Sequence, residues 1–250
     1  MLSGVVFATL LAGHVIADFI VQSDCEAKKK GADRRVLAIH CGKYACVSLV
    51  TACVLLCVGA SATTAALACG LLAASHAMID AFARPWLSRR IGEEIGVLFA
   101  DQILHLACIF FAACMVDMFS DVLILSESYE EVLVWGLSLL LSTLPSGIAV
   151  RALLNDVRGE KGRRHFDECC DEGELLGSGC VIGLLERGIT CVLTLLGQFD
   201  AIAFILAAKS IARYERLKEK TFAEEYLVGT LMSIACGIAC PLFSRWVVGL

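Results

Sequence analysis

"LSGVVFATLLAGHVIADFIVQ", residues 2–22, decides what kind of protein this is. The run is almost wholly apolar and long enough to cross a bilayer, which takes about 20 helical residues. It nevertheless carries His14 and Asp18, four residues apart. Ionisable groups inside a membrane span are costly and mark function by default. The rest of the chain has to supply what compensates them.

Seven more apolar runs follow, near 36–59, 62–84, 96–118, 130–151, 178–197, 199–214 and 226–247. The chain of 250 residues is 58% hydrophobic with only three prolines, and its mean hydropathy is +0.76. Such a composition excludes an ordinary soluble domain. The runs lack the period-2 alternation of a β-barrel. The fold class expected is all-α, a polytopic membrane bundle of about eight transmembrane helices. Spans six and seven meet in a tight hairpin at Gly197–Gln198, which suits two crossings or a re-entrant pair. Most of the 14 cysteines lie inside apolar runs, among them Cys41, Cys53, Cys69, Cys191 and Cys240. There they act as small packing residues and not as a disulfide framework. The first run has no basic n-region and no small-residue cleavage motif, so it is expected to be retained.

Orientation follows from lysine and arginine. Lys28, Lys29, Lys30, Arg34 and Arg35 share one loop, and Arg84, Arg89 and Arg90 the next on that side. Arg151, Arg158, Lys161, Arg163 and Arg164 mark a third, and Arg213, Arg216, Lys218 and Lys220 a fourth. These alternate with loops that have none, and they hold 17 of the 21 basic residues. The basic side is cytoplasmic, which places both termini outside. The charged loop 152–177 divides the chain, and two four-helix units are expected, 1–118 and 119–250. Within the first, His14-x3-Asp18 followed by His40 is echoed by His76-x3-Asp80 followed by His105. Both halves run in the same direction, as in a duplicated hairpin.

Residues four apart share a helix face. His14 and Asp18, His76 and Asp80, and Asp101 and His105 in "DQILH" each form such a pair. With the orientation read from charge, all of them and His40 fall in the cytoplasmic third of the bilayer. Gln22, Lys43, Gln102, Glu186, Arg187 and Lys209 fall at the same depth. Interhelical hydrogen bonds that specify packing are the plain alternative. Packing needs one or two such contacts, whereas four histidines and three aspartates converge here. Imidazole and carboxylate suit Zn, Mn or Fe as the divalent ion. The metal set expected is therefore His14, Asp18, His40, His76, Asp80, Asp101 and His105. It exceeds one tetrahedral shell, so some aspartates orient the imidazoles or two ions bind. "HFDECCDEGE", residues 165–174, offers His165, Cys169 and Cys170, but a solvated acidic loop is its simpler reading.

"GHVIADFIVQ", "ASHAMIDAFARPW" and "FADQILHL" resemble the bacterial membrane family known as domain of unknown function 3307. The family's pattern is H-x3-DF-x2-Q, then a His, then H-x3-D, then DQ-x2-H. His14, Asp18, Gln22, His40, His76, Asp80, Asp101, Gln102 and His105 match it, and Arg84 stands where a lysine is more usual. The resemblance implies a bacterial inner-membrane, multi-pass protein and no particular activity. The family is loosely similar to predicted membrane-bound metal-dependent hydrolases, an analogy only.

The function these observations point to is a membrane metalloprotein, hydrolytic, acting on a lipid-linked or phosphorylated amphiphile. Asp18, Asp80 and Asp101 are candidate catalytic groups, as ligands or general base. Gln22, Lys43, Gln102, Glu186, Arg187 and Lys209 are candidate substrate contacts, with Arg187 or Lys209 holding an anion. Membrane lipids are the expected surroundings, with no nucleic-acid partner, and a homo-oligomer is compatible. Two other classes use the same residues: a divalent-cation or proton-coupled transporter, and a non-catalytic assembly subunit. A transport site belongs near the midplane with polar groups continuing outward, whereas the outer halves of spans one to four are almost wholly apolar.

Overall fold

The computed structural model describes residues 4–31, 33–119, 127–157 and 178–249. All its elements are helical: α1 (Gly4–Val15), α2 (Asp24–Lys29), α3 (Arg34–Cys57), α4 (Ala62–Met78), α5 (Arg84–Ile91), α6 (Glu94–Phe119), α7 (Glu127–Val157), α8 (Ser178–Leu195), α9 (Phe199–Ala212) and α10 (Lys220–Val248). Five are long and apolar enough to cross a membrane: Arg34–Cys57, Ala62–Ile91, Glu94–Phe119, Tyr129–Val157 and Lys220–Val248. Three of the eight expected spans are shorter. The first is the apolar helix Gly4–Ile20, and the sixth and seventh are α8 with 18 residues and α9 with 14. Most of loop 152–177, with His165, Cys169 and Cys170, lies outside the described residues. No disulfide joins the described cysteines.

The helix ends follow local chemistry. Gly59, at φ 97°, closes α3, and the Ala60 amide donates back to the Leu55 carbonyl at 3.0 Å. Glycine there avoids the Cβ penalty of the left-handed region. Ser61 then caps α4 by accepting from the Thr64 amide at 3.1 Å. Gly197, at φ 70°, ends α8 the same way, with the Gln198 amide reaching the Leu193 carbonyl at 2.8 Å.

Two short π-helical segments interrupt this regularity. Ile16–Ile20 continues α1, and Ile79–Ala83 joins α4 to α5. In the first, the Val21 amide donates to the Ile16 carbonyl, five residues back, at 3.0 Å. Each segment carries an aspartate of an expected pair, Asp18 or Asp80.

The described residues divide into two compact units. The first comprises 4–133 and 247–249, the second 134–157 and 178–246. In the first, α1, α3, α4 and α6 form a closed ring of neighbours: α1 against α3, α3 against α4, α4 against α6 and α6 against α1. A Cβ on Gly13 would lie 2.4 Å from Thr51 Oγ1, so α1 and α3 approach closely. Leu49, Val50, Leu67, Leu71, Phe110 and Phe111 are exposed, whereas His14, His40, His76, Asp80, Asp101 and His105 are buried. That polarity is inverted relative to a water-soluble bundle.

In the second unit Pro145 removes a donor inside α7. The Leu141 carbonyl it would leave bare accepts from the Ser146 hydroxyl at 2.8 Å. Arg187 of α8 donates from Nε to the Ser142 carbonyl at 3.0 Å and from a terminal nitrogen to the Thr143 carbonyl at 3.2 Å. Gly147 makes room, since a Cβ there would sit 2.6 Å from that guanidinium.

Candidate metal centre

The two π-segments and the middle of the ring bring four side chains together. Asp18 comes from the turn after α1, His40 from α3, His76 from the last turn of α4, and Asp80 from the turn beyond it. One potential ligand atom from each lies within 4.8 Å of every other, and all four residues are buried. His40 Nε2 and His76 Nε2 are 2.9 Å apart. His40 Nε2 is 3.3 Å from Asp18 Oδ1 and 3.2 Å from Asp80 Oδ2. His76 Nε2 is 4.0 Å from Asp18 Oδ1 and 3.4 Å from Asp80 Oδ2.

A fifth group completes the cluster. Lys30, just past α2, turns its ammonium inward and is buried. Its Nζ donates to Asp80 Oδ2 at 2.7 Å, Gln22 Oε1 at 3.2 Å and Asp18 Oδ1 at 3.3 Å. It also lies 3.4 Å from His40 Nε2. Two carboxylates in a low-dielectric place require cationic partners, and here one is a lysine of the chain itself. Helix α2 is built to present it. Ser23 and Glu26 form a reciprocal capping box, and Glu26 Oε1 accepts from Lys43 Nζ at 2.6 Å. That lysine holds the Glu26 carboxyl below the usual glutamate range. Lys43, expected at the site as a substrate contact, thus points at α2 and the Val21 carbonyl.

A second set adjoins the first. The His76 ring stacks on Tyr44 at 3.8 Å between centroids and lies 4.6 Å from His105. His14 stacks on His105 at 4.9 Å. His14 Nδ1 pairs with the Tyr44 hydroxyl at 3.2 Å and Nε2 with Gln102 Oε1 at 3.3 Å. His105 Nδ1 donates to the Asp101 carbonyl at 2.9 Å. Arg84, four residues after Asp80, places one guanidinium nitrogen 3.9 Å from Asp80 Oδ1 and 3.8 Å from Asp101 Oδ2. Among the described residues, Asp80 Oδ1, Asp101 Oδ1 and His105 Nε2 are buried without a hydrogen-bond partner. His14, Asp101 and His105 therefore flank the four-residue group and do not join it.

Glu186, Arg187 and Lys209 belong to the second unit. Lys209 Nζ donates to Glu186 Oε2 at 2.6 Å and Thr230 Oγ1 at 2.9 Å, and Arg187 is committed to the α7 carbonyls. The sequence reading missed Lys30, Tyr44 and Arg84 as members of the site. Tyr44 lies four residues after His40 and Arg84 four after Asp80, a helical spacing that signals them. Lys30 carries no such signal, being the last of three consecutive lysines.

The chain belongs to the family described as "Protein of unknown function (DUF3307)", whose family model matches residues 6–134. That stretch contains the whole His/Asp/Lys cluster and its flanking set. No curated protein and no solved structure matches the chain.

Proposed function

We propose that this chain is an integral membrane metalloprotein whose divalent ion is held by Asp18, His40, His76 and Asp80. The observation that carries the reading is the spacing of the four ligand atoms. In a tetrahedral shell with bonds of 2.0–2.2 Å, neighbouring ligand atoms stand about 3.4 Å apart. Five of the six separations between these atoms run from 2.9 to 4.0 Å. Two imidazole nitrogens and two carboxylate oxygens are a donor set that Zn, Mn or Fe accepts. Tyr44 fixes the His76 ring by stacking.

Hydrolysis of a lipid-linked or phosphorylated amphiphile is the activity this arrangement supports best. A bound divalent ion would supply Lewis-acid polarisation. Asp101, with a buried and unpartnered oxygen, is the candidate base. Arg84, whose side chain is 30% exposed, is the anion holder for a phosphate reaching the carboxylates. Metal analysis of protein purified in mild detergent tests the first claim, with one ion per chain expected. A metal-free chain with full stability overturns it.

The membrane arrangement belongs to the same proposal: eight spans in a bacterial inner membrane, basic loops inside, both termini outside. Cysteine labelling in intact cells checks it in a chain freed of native cysteines. Ser61→Cys is expected to label from outside and Arg89→Cys only after permeabilisation. Outside labelling of Arg89→Cys reverses the orientation.

A further inference from the structure

Lys30 stands in an unusual place for a loop lysine. Its Nζ touches three of the four proposed ligand atoms, Asp18 Oδ1, Asp80 Oδ2 and His40 Nε2, at 3.3, 2.7 and 3.4 Å. We propose that Lys30 is a resident counter-cation which competes with the divalent ion for this site and sets how strongly an ion must bind to be held. The inference rests on the metal reading above and adds its control.

The chemistry of the donor atoms makes the competition direct. A neutral imidazole nitrogen without a proton has one lone pair. His40 Nε2 can spend it on the Lys30 ammonium, on His76 Nε2 or on a metal, one at a time. Asp80 Oδ2 is likewise the nearest partner of Lys30. Charge acts in the same sense. Lys30 offsets part of the charge of Asp18 and Asp80, and a divalent ion beside it would face a like charge with almost no water between them, since the lysine side chain is 1% exposed. The local fold allows the lysine to leave. Lys30 follows a six-residue helix held from outside by the Ser23–Glu26 box and the Glu26–Lys43 pair. Neither tether involves a metal-ligand residue. Nothing lies within 4 Å of a Cβ built on Gly31, the next residue. Monovalent ions offer no gain in charge over the ammonium they would displace, so the device selects for divalent ones.

The test uses the full chain in detergent and Zn²⁺ as probe, with two readouts. Zn²⁺ affinity is measured for the wild type, Lys30→Met and Lys30→Arg. Removing the ammonium is expected to tighten binding about tenfold or more, the scale on which groups around a metal site act, while Lys30→Arg stays at or below the wild-type affinity. In the wild type, acetic anhydride footprinting read by mass spectrometry is expected to find Lys30 unreactive without Zn²⁺ and acetylated once Zn²⁺ saturates the site. Lys220, whose side chain is 89% exposed, serves as the reference in both states. Wild-type Zn²⁺ binding with Lys30→Met no tighter, or Lys30 still unreactive in the saturated chain, overturns this inference and leaves the metal site standing. Failure of both wild type and Lys30→Met to bind Zn²⁺ removes the metal reading and this one with it. Should Lys30→Met not fold, the footprint on the wild type decides alone.

Discussion

Asp80→Asn is expected to abolish metal retention and to lower the stability of the metal-free chain as well. Asp80 Oδ2 is the common point of the cluster, 2.7 Å from Lys30 Nζ, 3.2 Å from His40 Nε2 and 3.4 Å from His76 Nε2. Loss of an outer partner typically costs 10–100-fold in metal affinity, so loss of a ligand oxygen is expected to exceed about 100-fold. Without metal, the substitution leaves the Lys30 ammonium short of its nearest anion. Breaking a buried pair by removing one partner costs about 3–5 kcal/mol. Metal content of the purified variant and its thermal unfolding in chelator read the two effects separately. Full metal content in Asp80→Asn removes Asp80 from the ligand set. An unchanged unfolding midpoint in chelator shows that Asp18 alone balances Lys30.

The second large effect is a failure of additivity. His40→Ala and His76→Ala are each expected to cost about 100-fold or more in metal affinity, extending the same scale. The double variant should lose little beyond the worse single, because groups that act as one unit do not sum. Stability in chelator should behave differently. His76 also stacks on Tyr44 at 3.8 Å with an interplanar angle of 11°, so its loss carries a packing cost that His40 does not share. Such a stack contributes about 0.5–1.5 kcal/mol beyond buried area. Equal, additive stability losses with no change in bound metal would leave interhelical packing as the whole role of both histidines.

The positions of the four grouped residues were legible because helical spacing is rigid. His76 and Asp80 four apart must share a face, and alternating basic loops put His40 and Asp18 at the same end of their spans. The existence of the five long helices was legible because hydropathy is read residue by residue, but Ala62–Ile91, Tyr129–Val157 and Lys220–Val248 run on past the apolar stretches at 62–84, 130–151 and 226–247 into polar sequence. Which of the seven polar groups touch was not. That depends on how α1, α3, α4 and α6 rotate against one another, and on the π-turns, where one additional residue per turn shifts every side chain beyond it. Local sequence does not show such a turn: "IADFI" and "IDAFA" read as ordinary helix. Lys30 was hidden by its company, since three lysines in a loop are accounted for by membrane orientation before any one of them is placed. Arg187 looked like an anion holder because the carbonyls that claim it, those of Ser142 and Thr143, belong to another helix far back in the sequence, a tertiary contact that local sequence does not show.

The two widened turns also bear on descent. They sit after His14 and after His76, beginning two and three residues beyond the histidine, each enclosing the partner aspartate. A widened turn is what remains when one residue is inserted into a finished helix that cannot shorten elsewhere. If the hairpins of α1 with α3 and α4 with α6 arose by copying, the insertion is older than the copy, because both carry it. The ancestor was then a single hairpin with two histidines and one aspartate per chain, as His14, Asp18 and His40 stand against His76, Asp80 and His105, one donor short of a four-ligand shell. It would have completed the shell by pairing with a second molecule in the same orientation. On that history, Gln22 four residues after Asp18 and Arg84 four residues after Asp80 would be differences gained once two copies shared one chain.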